Sequence, residues 1–132
     1  MGITVVNQLT DLRTDIANAL NEAGIRSVEF GDTKLAPNMA VIVPSPDYVS
    51  QRSGDSFGEY NINLMVLLLG PKATPALAAS VMDEMILKAF FALEPHFEIE
   101  RVSAPDEVTL NGVNYFGSMI EIAAQIILRE DT

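Results

Sequence analysis

Cysteine is absent from the 132 residues, which removes disulfides, thiolate metal sites and cysteine nucleophiles from consideration. Histidine occurs once, at His96 beside Pro95. Without a second histidine or a G-x-S-x-G elbow, the chain offers no linear motif for a metal centre or an activated nucleophile. Basic residues are scarce, with 8 Lys plus Arg against 18 Asp plus Glu and a formal net charge of −10. Affinity for a phosphate backbone comes from clustered Lys and Arg, so this balance argues against DNA binding. Long apolar runs are also missing. Leu64 to Leu69 is the longest uncharged apolar stretch, far short of the ~20 residues of a membrane helix. Asp11, Arg13 and Asp15 interrupt any secretory h-region, and Val6 stands where myristoylation requires Ser or Thr. The expectation is a soluble, cytoplasmic protein with no membrane segment and no cofactor.

Acidic and glycine-containing stretches give no enzyme signature either. Asp83 and Glu84 are neighbours on a helix, so their carboxylates diverge by about 100° and do not act as a pair. Gly54-Asp-Ser-Phe-Gly58 lacks both the Lys-Ser/Thr of a phosphate-binding loop and the third glycine of a dinucleotide fingerprint. Glu98, Glu100 and Glu121 fall on strands, where a charged outer face accounts for them. Capping or simple surface exposure accounts for His96. The chain is read as a non-enzyme.

What the sequence does contain is strong periodicity. The length fits one domain, 1–132, able to bury roughly two-thirds of its unfolded surface. Asn111-Gly112 supplies the two residues that most readily take positive φ in a two-residue hairpin turn. After it, Phe116, Ile120, Ile122, Ala124, Ile126 and Leu128 keep the even positions apolar, while Glu121, Gln125 and Arg129 take odd ones. That period of two describes a long strand. Near the amino terminus, Val5, Leu9, Leu12, Ile16, Leu20 and Ala23 form one helical stripe, stopped by Gly24 and followed by the apolar Ile25.

Arg26 to Phe30 then reads as a short strand, Gly31-Asp32 as a turn, and Met39 to Val43 as an interior or doubly covered strand closed by Pro44. Pro44 to Gly58, with two prolines and no period, reads as a loop of about a dozen residues, either a solvated excursion or a partner-facing element. Glu59 to Leu69 alternates at first and is then apolar on both faces. Gly70-Pro71 breaks it, and Thr74-Pro75 opens a second helix running to about Leu93. Its core face is Ala78, Val81, Met82, Met85, Ala89, Ala92 and Leu93.

Leu87 and Phe91 fall on the opposite side of that helix, with Ser80, Glu84 and Lys88. They are covered by a loop, are scattered exposed apolars, or form a subunit interface. Phe97 to Val102 alternates charge in the manner of an edge strand or a solvent-facing surface. The resulting order, α-β-β-β-α-β-β-β, predicts an α+β fold with two helices on one face of a mainly antiparallel sheet.

Three stretches carry a family resemblance: Asp11-Leu-Arg-Thr-Asp-Ile-Ala-Asn-Ala-Leu-Asn-Glu-Ala-Gly-Ile25, Val43-Pro44-Ser-Pro46-Asp47-Tyr48-Val49, and Pro105-Asp-Glu-Val-Thr-Leu-Asn111-Gly112-Val-Asn-Tyr115-Phe-Gly117. In these, and in length and element order, the chain resembles the tail terminator, or tail-completion, proteins of long-tailed bacteriophages. The neighbouring head-tail connector and neck proteins are similar in size and style. The resemblance implies a virion subunit, assembled in the host cytoplasm, that forms a hexameric ring, caps the tail tube, ends tail elongation and joins tail to head. Its implied partners are further copies of itself, the tail tube protein and a head-completion or connector protein, with DNA passing through unbound. The candidate contact residues are Pro46, Asp47, Tyr48, Arg52 and Phe57 in the long loop, Leu87 and Phe91 on the second helix, and Asn111 and Gly112 at the hairpin tip. A small dimeric adaptor is the other class of assembly open to such a chain. A ligand-binding or catalytic domain of a type without a linear motif is the third alternative.

Overall fold

The computed structural model describes residues 8–29, 35–51, 58–70, 75–110 and 112–128. Two helices and six strands follow the expected order: α1 (Gln8–Glu22), β1 (Arg26–Glu29), β2 (Met39–Ser50), β3 (Glu59–Leu69), α2 (Pro75–Leu93), β4 (Glu98–Val102), β5 (Asp106–Leu110) and β6 (Val113–Ile127). Val5, Phe30, the Gly31-Asp32 turn, Thr74 and Arg129 lie outside the described residues.

Gly24 ends α1 at φ 87°, and the chain closes there in a Schellman pattern. Ile25 donates its N–H to the Leu20 carbonyl at 2.9 Å and Gly24 donates to Asn21 at 3.0 Å. Ile25 is thereby drawn into the core, where it is 4% exposed.

All six strands join one sheet in the order β1-β2-β3-β6-β4, with β5 also on β6. Only β1 and β2 run parallel; the other pairs are antiparallel. The centre is β3 against β6, paired without a break from Glu59↔Ile127 to Leu69↔Gly117. Because paired residues share a face and neighbours alternate, Ile62, Leu64, Val66 and Leu68 meet Ile120 and Ile122 on one side. Ile16 and Leu20 of α1, with Met82, Met85, Ala89 and Leu93 of α2, cover that side. Met39, Val41, Leu69 and Tyr115 form a second, smaller cluster with Leu35, Ala36 and Leu110. By the same alternation it occupies the face the helices leave open, which explains why β2 begins apolar on both sides. No helix among the described residues is long and apolar enough to cross a membrane.

Pro44 does not close β2. The strand runs on to Ser50, through the first half of the stretch expected to be a loop; residues 52–57 of that stretch lie outside the described residues. Pairing shifts between Pro44↔Leu64 and Val49↔Ile62, so four residues, Ser45 to Tyr48, stand opposite the single residue Asn63. Proline is excluded from strands because it cannot donate to a ladder, but edges and bulges remove that demand. β1 accompanies β2 only as far as Ile42, so beyond it β2 has no second neighbour among the described residues. Both prolines, Pro44 and Pro46, fall in that stretch.

Two smaller differences have the same origin in packing. Asn61, a polar residue in the part of Glu59 to Leu69 that alternates, is nevertheless buried at 3% exposure on the central strand pair. The β4 strand begins at Glu98, one residue later than the alternation suggested, with a register shift between Ile99 and Arg101.

β4 and β5 lie end to end along the outer edge of β6, facing Ile120 to Ala123 and Val113 to Gly117 respectively. Ser103 joins them. Its N–H donates to the Met119 carbonyl at 2.9 Å, its Oγ accepts from the Met119 N–H at 2.9 Å, and its carbonyl accepts from the buried Ser118 hydroxyl at 2.5 Å. The β5-β6 hairpin therefore continues past the end of β3, which stops at Leu69 opposite Gly117.

Candidate interaction surface

Three features project from this scaffold: the outer side of α2, the β2 bulge and the overhanging hairpin. On α2, Leu87 is 54% exposed and Phe91 is 63% exposed. Leu77 joins them at 58%, and its spacing to Ser80, Glu84, Leu87 and Phe91 (3, 4, 3, 4) keeps all five on one stripe. Leu77 was legible in that spacing, but it sits where the helix begins and its role as a surface residue depends on what α2 packs against. Glu84 and Lys88 form an i,i+4 ion pair at 3.3 Å within the stripe, and Phe90 meets Phe91 edge-on with ring centroids 5.6 Å apart. No core residue crosses this stripe, because Met82, Met85, Ala89 and Leu93 point the opposite way into the sheet.

The bulge is held from both sides. Asn63 donates its amide to the Asp47 carbonyl at 2.7 Å and to the Ser50 hydroxyl at 2.8 Å. From the helix side, Arg13 donates to the Tyr48 hydroxyl at 2.5 Å, to Glu29 at 3.1 Å and to Thr10 at 3.3 Å. Burial opposes the guanidinium charge, yet the hydrogen bonds to Glu29 and Tyr48 outweigh it and raise the Arg13 pKa. Tyr48 packs against the main core, and its hydroxyl is engaged within the subunit. Pro46 and Asp47 are the exposed tip. Arg52 and Phe57 lie outside the described residues.

Replacing Arg13 by methionine is expected to cost about 1–2 kcal/mol, because the Tyr48 hydroxyl and Glu29 lose a charged donor while the aliphatic stem is kept. Lysine is expected not to restore it, since one ammonium cannot reproduce the planar fork across three acceptors. Urea denaturation of the two variants against the parent checks both.

Asp47 also borders a 370 Å³ groove on the open face, together with Pro46, Asn63, Glu100 and Glu121. Glu121 is held by Arg101 through contacts of 2.8 and 3.0 Å. Among the described residues, no group of three or more His, Cys, Asp or Glu is placed to hold a metal ion. His96 is exposed past the end of α2, edge-on to Phe97 with centroids 6.3 Å apart.

At the hairpin tip, Gly112 has φ 75°, as the second central residue of a type I′ turn requires; Asn111 lies outside the described residues. Val113 is 42% exposed beside it. Among the described residues, Ile127 and Val49 are the other large apolar residues left open, at the far end of the sheet, and no periodicity singled them out. The candidate residues thus fall on three separate surfaces.

No family model matches the chain, and no curated protein matches it.

Proposed function

We propose that the chain is a structural subunit of a long-tailed phage virion. It forms a ring, hexameric as in the tail terminators it resembles, that caps the tail tube, ends elongation and joins tail to head. The observation that carries this reading is the open stripe of α2. Leu77, Leu87 and Phe91 are each more than half exposed on a helix whose other side already fills the core. Large apolar residues gathered on one face are characteristic of protein contact surfaces. A ring uses head-to-tail contacts between unlike patches, and the bulge at Pro46-Asp47 and the hairpin at Gly112 provide further projecting elements away from α2.

The acidic balance also supports the reading. A net charge of −10 lets a duplex slide past a ring wall without being gripped. The wall is expected to carry Glu and Asp, and a ring whose lumen is basic or neutral would contradict the electrostatic part of the proposal.

Electron microscopy of the purified protein, paired with native mass spectrometry, tests the assembly directly. Rings with a central hole and a mass near six subunits are the expected result. A dimer at all concentrations would replace the ring with the adaptor reading, and a monomer at high concentration would remove both.

A further inference from the structure

Among the described residues the sheet is open, and its two outer edges are unlike: β1 forms one and β5, continuing β4, forms the other. Each edge exposes backbone donors that a further strand would use. On β5 these are the N–H groups of Glu107 and Thr109. The two-residue turn makes Leu110 and Val113 a hydrogen-bonded pair, so such pairs recur at Val108↔Tyr115 and Asp106↔Gly117, and the residues between them point outward.

Both edges carry a side chain over an outward N–H. The Asn21 side-chain oxygen accepts from the Ser27 N–H at 3.1 Å, and the Asp106 carboxylate accepts from the Glu107 N–H at 2.7 Å. The apolar row on the open face reaches both edges as well, with Val28 of β1 at one end and Leu110 of β5 at the other.

We propose that these edges are where one copy meets the next, β5 of one subunit beside β1 of its neighbour, and that Asn21 and Asp106 hold them closed in the free subunit. Pairing of unlike edges is head-to-tail, the form of contact a closed ring requires. β1 runs parallel to β2 and β6, and β5 runs antiparallel to β6. A rotation about an axis along the strands therefore brings the neighbour's β1 antiparallel to β5. Val28 of the neighbour then extends the apolar row beyond Val108 and Leu110. The inference rests on the ring reading and adds which surfaces meet and what delays them.

The test is sedimentation velocity on the full chain, as the parent and three variants. Asn21→Ala combined with Asp106→Ala removes both caps and is expected to associate about tenfold more tightly than the parent, the effect of two freed N–H groups per contact, each worth roughly threefold. Adding Thr109→Pro removes an outward donor without touching the ladder to β6, and is expected to reverse the gain. Thr109→Val, which keeps the N–H and loses only the hydroxyl bonded to Asn114 at 2.6 Å, is expected to leave the gain intact. An uncapped variant no tighter than the parent, or an association that Thr109→Pro leaves untouched, overturns the proposal. Rings of the parent that persist with Thr109→Pro leave the ring reading standing and remove this inference. A parent that forms no ring, with an uncapped variant that stays monomeric, removes both.

Discussion

Replacing Gly117 by alanine is expected to destabilise the fold by about 3 kcal/mol, at the upper end of what overpacking costs. Gly117 has no unusual backbone angle; the constraint is space. A β-carbon there would run into the Leu68 carbonyl oxygen and touch Val108 at 3.4 Å. The obstacle is backbone of the central strand, which cannot move aside without loosening the β3-β6 ladder where Leu69 meets Gly117.

Gly24→Ala makes the informative contrast. It occupies φ 87° with nothing within 4 Å, so its cost is conformational alone, about 1 kcal/mol. Gly70 lies between the two cases, since its added carbon would meet the Phe116 carbonyl at 2.6 Å and the flexible Met82 side chain. Thermal unfolding should place Gly117→Ala about 10 °C below the parent and Gly24→Ala only a few degrees below it. Equal shifts would show that the β3-β6 approach is not the constraint.

Phe91→Asp is expected to leave the subunit folded and abolish its assembly. Phe91 is 63% exposed, so a charge there buries nothing in the monomer and changes its stability within ~0.5 kcal/mol. At a contact, the same substitution removes an aromatic anchor and places an unpaired carboxylate against apolar surface, a loss of 2 kcal/mol or more and a weakening of roughly thirtyfold or greater. Circular dichroism with native mass spectrometry separates the two effects. Leu77→Asp should act in the same direction, because it shares the stripe. A Phe91→Asp protein that assembles as the parent does would take α2 out of the contact and leave the strand edges as its site.

These two residues also show what kind of information each came from. Phe91 was legible, because 3.6-residue periodicity alone separates the core side of α2 from the side bearing Glu84 and Lys88. The same local logic identified α1 with its Gly24 stop, the Asn111-Gly112 hairpin with Gly112 at positive φ, and the alternation along β6. All are set by residues within a turn or two of one another, where propensity and side-chain period act directly.

Gly117 appeared in the sequence as one glycine of a resembling stretch, and its physical role emerged only when Leu68, 49 positions away by subtraction of the residue numbers, was brought against it. The continuation of β2 through Pro44 and Pro46 was hidden for a related reason. Proline ends a strand only where both edges are paired, and whether β1 reaches that far depends on the sheet. Arg13 and Tyr48 meet across 35 positions, and the Asn21 and Asp106 caps matter only because β1 and β5 turn out to be the outer edges among the described strands. Composition and periodicity determined the elements, the α+β class and the apolar stripe on α2. Strand order, register and the bulge were decided by long-range pairing, which local sequence does not encode because each pairing depends on which distant strand occupies the neighbouring place.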